Sequence, residues 1–289
     1  MTVPQCSLSQ LKQSIRAAGV DQVQAIFDFD HTLTGFVRPD GSAMPMGHDI
    51  IEHARHMPAD FRSEYTKLWQ DQDLGQRAGT WDLSEWWRRS HSLILKYGLM
   101  EAWVPEMVAH ARLSLRGRCK ELFDVLQKHS VPCLICSAGI SHIIEEAFYR
   151  EGISLENVHI RANEMIFAED GRLSGFKEPL VTAVNKGQLG VWEARYFQSI
   201  SRSSVILVGD SLRDPDSLER VPGMEHALRV GFYNAHDVVK SRQKQKYAST
   251  FDMLLSTENL DPRSDLDMGP VIGLLQELLE PTDTDTICE

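Results

Sequence analysis

The stretch Phe27-Asp28-Phe29-Asp30-His31-Thr32 places two carboxylates two residues apart, with a hydroxyl two further on. The apolar run before it, Val23–Phe27, reads as a short buried strand. Open parallel sheets present ligands beyond the carboxyl ends of their strands, so Asp28 and Asp30 stand where chemistry usually happens. The spacing suits phosphoryl transfer. One carboxylate attacks phosphorus to form an aspartyl-phosphate; its neighbour gives a proton to the leaving oxygen and then takes one from water. Two acids this close repel as anions, which keeps a proton on one of them, and a divalent cation between them would change that balance. As a bare pattern, D-x-D-x-T arises by chance in roughly a few per cent of chains of this length. Its strand context and three later stretches give it weight.

Ser137 ends a second apolar run and precedes a predicted helix. Its hydroxyl and the N–H groups after it would suit phosphoryl oxygens. Lys186 opens another predicted helix, where an ammonium would offset the charge of phosphate and aspartate together. Asp210 and Asp214 follow the apolar run Val205-Ile206-Leu207-Val208. Carboxylates there, facing the first pair, suit Mg²⁺, which prefers oxygen ligands. Taken singly, Ser137 reads as a helix cap, Lys186 as a solvated lysine and nearby Asp216 as an exposed acid at a helix start. The order acid pair, serine, lysine, acid pair is far more specific than any member.

These residues need a scaffold, and the hydrophobic pattern supplies one. A helix is predicted over 9–18, with Gly19 as its stop. From residue 118 onward strand and helix alternate. Strands are predicted over 131–136, 158–161, 204–208, 226–232 and 250–254. Helices are predicted over 118–129, 141–151, 185–197, 216–220, 237–246 and 271–279. A hairpin over 164–176 turns at Asp170-Gly171. This alternation argues an α/β fold, a doubly wound parallel sheet covered on both faces. Thr34 to Gly47 reads as a linker, and from Gly47 to about Ser114 there is no convincing strand. Helices are predicted over 48–57, 59–70, 83–97 (capped by Asp82 or Ser84) and 102–111, and the region holds five of the six tryptophans: Trp69, Trp81, Trp86, Trp87 and Trp103. The expected division is a catalytic core of 1–37 and 115–289 with a helical cap, 38–114, inserted after the first strand. Such a cap would exclude water and recognise the leaving group, although packing of a small helical unit accounts for any single Trp as well.

Composition narrows the partners. A net charge of −11 argues against general nucleic-acid binding, but a local cluster of metal, lysine and backbone N–H groups can still hold a small phosphorylated substrate. No apolar run reaches membrane-spanning length, and residues 1–9 lack the layout of a signal peptide. The five cysteines are scattered. Cys133 and Cys136 have redox-pair spacing, but three residues apart on a strand they face opposite ways, so they read as buried thiols in a reducing compartment, the cytosol.

The full motif order resembles the haloacid dehalogenase superfamily of phosphatases. Phe27-Asp28-Phe29-Asp30, Thr32-Leu33, Glu85-Trp86-Trp87 through Ser90-His91, Ser137-Ala138-Gly139-Ile140, Gly175-Phe176-Lys177, Asn185-Lys186, Gly209-Asp210-Ser211 with Asp214, and Val230-Gly231-Phe232 with Asn234 look like the cytosolic pyrimidine 5′-nucleotidase family. The resemblance runs from about residue 8 to 255. It implies a Rossmann-like core of haloacid dehalogenase type and a Mg²⁺-dependent hydrolysis of nucleoside 5′-monophosphates. Asp28 would be the nucleophile and Asp30 the acid–base, lending its backbone carbonyl to Mg²⁺. Asp210 would complete the metal site, with Asp214 and Thr32 in support. Ser137, Ala138 and Lys186 would bind phosphate, and Ser90 falls at a cap position near the substrate.

Two departures stand out. Where the family has a base-contacting cap glutamate, sixteen residues before Glu85, this chain has Trp69; an alignment shift would bring Asp71 or Asp73 there instead. A Trp cannot accept a hydrogen bond from a base amino group. Trp87 matches the branch that prefers 7-methylguanosine monophosphate, in which a Trp stacks on the cationic base. Arg213 stands where relatives have Gly, and either adds charge near the metal loop or points to solvent. The implied substrates are CMP, UMP or 7-methylguanosine monophosphate. The alternatives are a phosphatase of the same fold acting on a non-nucleotide phosphomonoester, and a catalytically silent nucleotide-binding protein.

Overall fold

The structure is a computed structural model that describes residues 7–78, 83–188, 193–219, 221–237 and 240–280, with the side chains of 73–78, Leu83 and Lys186 outside that set. Its organising strand is β1, Val23–Phe27, buried at every position. Such a run can only sit inside a sheet covered on both faces. β1 is flanked by β2 (Cys133–Ile140) and β6 (Ser204–Gly209) in a six-stranded sheet. β3 (Val158–Asn163) lies beyond β2, while β7 (His226–Tyr233) and β8 (Met253–Ser256) lie beyond β6. All five pairings are parallel, and Phe27 stands in register with Ile135 and Val208. The chain adds β2 and β3 on one side of β1, then crosses to build β6, β7 and β8 on the other. Strand order therefore reverses at β1, and the crevice this creates opens at the residue after Phe27.

Alternation along β1 serves both faces. Ala25 and Phe27 pack with Ile15 of α1 (Leu8–Ala18), Leu122 of α6 (Cys119–Lys128), Phe148 of α7 (Ser141–Arg150) and Leu275 of α10 (Gly269–Leu279). Ile26 packs on the opposite side with Leu134, Leu207 and Phe197 of α8 (Ala194–Ile200). The start of α1 is fixed by a reciprocal capping box between Ser7 and Gln10, and it stops at Gly19, φ 94°.

Between β1 and β2 lies a helical insert of α2 (Gly47–Glu52), α3 (Ala59–Ala78), α4 (Leu83–Tyr97) and α5 (Val104–Ala111). It has its own apolar cluster, including Phe61, Tyr65, Trp86, Ile94 and Met107. Met165 and Leu173 from the hairpin strands β4 (Met165–Phe167) and β5 (Leu173–Phe176), and Ile143 from α7, complete that cluster. The insert thus rests on elements far along the chain.

Local differences from the sequence expectations have physical causes. α2 is shorter than 48–57 because the chain turns, Met57 N–H bonding the Ala54 carbonyl before Pro58. α3 runs two turns past residue 70. β2 does not end at Cys136 but continues through Ser137-Ala138-Gly139, small residues that let the strand shift register against β3 before Ile140. In place of one helix over 185–197, the described residues form a single turn, Lys186–Gln188, and then α8. The predicted helix over 216–220 is a turn at Asp214–Leu218, and 237–246 divides into a turn at Lys240–Gln243 and α9, Lys244–Thr250. Asp82 and Trp81 lie outside the described residues. Cys119, Cys133 and Cys136 are buried thiols rather than disulfide partners. Among the described residues no helix is long and apolar enough to cross a membrane.

Candidate active site

Asp28 follows β1 and is only 6% exposed; its N–H donates to the Val208 carbonyl at 3.0 Å, so backbone pairing fixes its position. The chain then makes a wide turn closed by the Thr34 N–H on the Phe29 carbonyl, 3.0 Å. Within it His31 is left-handed, φ 61°, its N–H bonded to Thr34 Oγ1 at 2.7 Å. Backbone strain of this kind clusters at functional sites. Thr32, fully buried, donates its hydroxyl to Asp28 Oδ2 at 3.3 Å. Asp30 accepts the Gly47 N–H at the start of α2, 3.3 Å, which ties the turn to the insert.

Asp210 follows β6 at the neighbouring strand end. Asp214 curls back so that its Oδ2 accepts the N–H groups of Asp210 (2.9 Å) and Ser211 (2.8 Å). A Cβ on Gly209 would lie 2.2 Å from that oxygen, so only glycine permits the turn. Carboxylate oxygens of Asp28, Asp210 and Asp214 all lie within 4.8 Å of one another, and all three residues are buried. Three anions this close need positive charge between them. Lys240 supplies some, its ammonium meeting the Asp210 carboxylate. An all-oxygen donor set with charge still to be balanced fits a hard divalent cation. Asp210 is further held by Asn234 Nδ2 (3.3 Å), and its carbonyl accepts the Tyr247 hydroxyl (2.9 Å).

Behind these residues lies a hub that the sequence reading missed. Arg116, whose side chain is fully buried, donates to the carbonyls of Thr32 (2.8 Å), His31 (2.7 Å) and Leu266 (3.0 Å), to Asn234 Oδ1 (3.2 Å) and to Asp265. It therefore fastens the Asp28–Thr32 turn to the residue that holds Asp210. Asn163 does the same on the other side. Its amide donates to the carbonyls of Ala138 (2.9 Å), Gly139 (3.1 Å) and Val181 (2.8 Å), joining the Ser137 loop to the segment that leads to Lys186. Neither residue carries a sequence signal, because a buried arginine or asparagine is recognisable only once its carbonyl partners are known.

Ser137 is buried, and its Oγ accepts the Gly139 N–H at 2.9 Å. Asn185 accepts the Thr182 N–H (2.7 Å) and donates to the Leu180 carbonyl (2.9 Å), shaping the turn at Lys186. A Cβ on Gly187 would come within 3.0 Å of Asp216, so the Lys186 backbone packs tightly on the turn after Asp210. The Lys186 side chain itself lies outside the described residues.

The structure brings Asp28, Asp30, Ser137, Ala138 and Asp210 to one cavity of about 430 Å³, together with Trp69 and Trp87 from the insert. The Trp87 indole N–H donates to the Ala138 carbonyl at 3.0 Å, across from insert to core. The Trp69 ring lies 4.5 Å from Trp86, which meets Trp87 edge-on at 5.1 Å. His48 also lines the cavity, and its Nε2 faces that of buried His91 at 3.2 Å. Burial pushes the His48 imidazole down to about 4, and burial with the neighbouring His48 lowers His91 as well. Ser90 is not brought to the cavity: it is fully buried and its hydroxyl donates to the Trp87 carbonyl, 3.0 Å. Nor is Asp71, which two helical steps, about 200°, turn away from Trp69; Gln72, three residues on from Trp69, lines the cavity in its place. The Asp73 side chain lies outside the described residues. Arg213 is exposed and does not line the cavity. Lys240, Gln72 and His48 are further residues that sequence reasoning passed over.

A parallel sheet whose order reverses at an Asp-x-Asp turn, with acids at the next strand end and a helical insert above, defines a phosphatase of the haloacid dehalogenase fold. The structure of phosphoserine phosphatase as a phospho-aspartyl intermediate analogue shares that fold (TM-score 0.50, 18% identity, covering 87% of this chain and 97% of that one). The family model for pyrimidine 5′-nucleotidase (UMPH-1) matches residues 31–266. The chain is 31% identical over 284 residues to the 7-methylguanosine phosphate-specific 5′-nucleotidase of Rattus norvegicus, covering 96% of this chain and 91% of the relative. The crystal structure of cytosolic 5′-nucleotidase IIIB bound to cytidine superposes with a TM-score of 0.78 at 26% identity, covering 94% of this chain and 90% of that one. This chain belongs to the UMPH-1 pyrimidine 5′-nucleotidase family, and it is an enzyme, a phosphoric monoester hydrolase.

Proposed function

We propose that the chain is a Mg²⁺-dependent hydrolase of nucleoside 5′-monophosphates that works through an aspartyl-phosphate on Asp28. The observation that carries this reading is the meeting of Asp28, Asp210 and Asp214, buried within 4.8 Å of one another, beneath a cavity roofed by tryptophans. Asp28 attacks phosphorus in line while Asp30 hands a proton to the departing 5′-oxygen. Asp30, then a carboxylate, takes a proton from the water that hydrolyses the acyl phosphate. The Ser137 hydroxyl, the Ala138 N–H and the Lys186 ammonium hold the phosphoryl oxygens. Asp28, the Asp30 carbonyl and Asp210 would hold Mg²⁺, which would supply positive charge beside a phosphoryl group that gains negative character. Thr32 and Asp214 orient their neighbouring acids, and Lys240 balances Asp210.

Residues 38–114 act as the cap. Trp69 and Trp87 offer flat apolar faces to the base, as expected for a nucleotide. The cytidine held by cytosolic 5′-nucleotidase IIIB is consistent with that use. The buried thiols and the relatives' cytosolic names support a cytosolic setting.

Phosphate release from CMP, UMP, 7-methylguanosine monophosphate and ribose 5-phosphate tests the reading. Release is expected to require Mg²⁺, to stop with EDTA, and to fall by about 10⁴-fold or more in Asp28→Asn. Activity that survives this substitution would remove Asp28 as nucleophile. Turnover of other phosphoesters with nucleotides inert would point instead to a non-nucleotide phosphomonoester.

A further inference from the structure

The cavity has two chemically different sides. Its acids, Asp28, Asp30, Asp210 and Asp237, belong to the core. The residues that the insert contributes to its lining among the described residues, Met46, His48, Trp69, Gln72, Trp86 and Trp87, carry no formal charge at neutral pH. Trp69 and Gln72 stand three residues apart on α3 and so share a helix face. The Trp87 N–H is already committed to the Ala138 carbonyl. Gln72 is different: its Oε1 is buried with no hydrogen-bond partner among the described residues, and the Trp86 indole N–H is likewise buried and unpartnered. A buried amide oxygen without a donor is costly, so its place in a cavity lining is best explained by a donor that arrives with a ligand.

We propose that Gln72 is the base-reading residue of this enzyme and that it selects neutral pyrimidines. This rests on the nucleotidase reading above. A carboxamide presents one acceptor beside one donor, and it can rotate to exchange them. Cytosine presents an amino donor beside the N3 acceptor; uracil presents the N3–H donor beside the O4 acceptor. One glutamine satisfies either edge with two hydrogen bonds. The guanine edge presents two donors side by side, N1–H and the 2-amino group. An amide accepts from one of them only, whereas a carboxylate accepts both and also balances the charge of a 7-methylated ring. The roof formed by Trp69, Gln72 and Trp87 therefore stacks a base but offers no carboxylate to balance a positive charge on it.

The test compares kcat/KM for CMP, UMP and 7-methylguanosine monophosphate with that for ribose 5-phosphate, which has no base, in each purified protein. Taking ratios within one preparation cancels any loss of folded enzyme. The wild type is expected to favour CMP and UMP over 7-methylguanosine monophosphate by tenfold or more. Gln72→Leu should lower the CMP to ribose 5-phosphate ratio at least tenfold. Gln72→Glu should raise the ratio of 7-methylguanosine monophosphate to CMP at least tenfold. If the wild type discriminates among bases and both variants keep its ratios, Gln72 does not read the base and the inference fails alone. If the wild type treats ribose 5-phosphate as well as any nucleotide, the nucleotidase reading fails with it.

Discussion

The floor and the roof of the cavity are built on opposite principles. Floor residues are placed by backbone: Asp28 by the Val208 carbonyl, Asp210 and Ser211 by N–H bonds to Asp214, the Thr32 and His31 carbonyls by Arg116. Roof residues are placed by side-chain packing, Trp69 on Trp86 and Trp86 on Trp87. Backbone pairing fixes a reacting group against an entire sheet, whereas ring packing can be re-cut by exchanging one side chain. The proposed function assigns the chemistry to the backbone-held floor and the choice of substrate to the packed roof. A change in the floor should strike every substrate alike, mainly in kcat; a change in the roof should strike substrates unequally, mainly in KM.

Asn234→Leu puts the largest strain on that contrast after the loss of Asp28 itself. It removes the amide that donates to Asp210 Oδ2 and accepts from Arg116, while the Arg116 guanidinium keeps its carbonyl partners. Outer supports of a metal ligand typically contribute about 10- to 100-fold in metal affinity. The Mg²⁺ concentration for half-maximal activity should rise by about that factor, equally for CMP and for ribose 5-phosphate. A shift confined to nucleotides would break the division between floor and roof.

The same division explains what could be read from the sequence. Asp28, Ser137 and Asp210 each stand just beyond an apolar run, and it is the order of these stretches along the chain, not any one of them, that made the floor legible. The parallel sheet was legible because its central strands are continuously apolar, and the alternation after residue 118 gave its connections. The roof was harder. The helix over 59–70 was expected to stop two residues short of Gln72, and in the structure α3 runs to Ala78; extending the Trp69 face by one turn is the signal that would have found it. Ser90 was carried over by resemblance, yet its hydroxyl is committed to the Trp87 carbonyl inside the insert. Lys240 gave no signal, since its approach to Asp210 depends on a turn at Lys240–Gln243 where a continuous helix was expected.

Trp87 sharpens the comparison because it belongs to both halves. Its ring is part of the roof, but its N–H holds the carbonyl of Ala138 in the phosphate loop. Trp87→Phe keeps an aromatic face and deletes that one bond. A neutral hydrogen bond is worth about 0.5–1.5 kcal/mol, so kcat/KM should fall by roughly three- to tenfold. The fall should include ribose 5-phosphate, unlike that from a residue that touches only the base. An effect limited to nucleotides would mean that the bond to Ala138 does not help to position the phosphate loop.

The smallest effect concerns the packing of the insert rather than turnover. His48 is buried against His91, and its imidazole is pushed down to about 4 from an ordinary value near 6.5. The folded state therefore refuses a proton that the unfolded chain accepts. Stability is undiminished by this group above about pH 6.5 and is lost progressively as pH falls from there toward 4. At pH 5.5 the loss from His48 is about 1 kcal/mol, or roughly two to four degrees in Tm for a chain of this size. Melting curves between pH 7.5 and 5.5 should show that decline, and the double variant His48→Gln/His91→Gln should flatten it. The floor contributes no such histidine pair among the described residues, so a decline of the same slope in the double variant would move the acid sensitivity out of the roof and onto the carboxylates of the sheet.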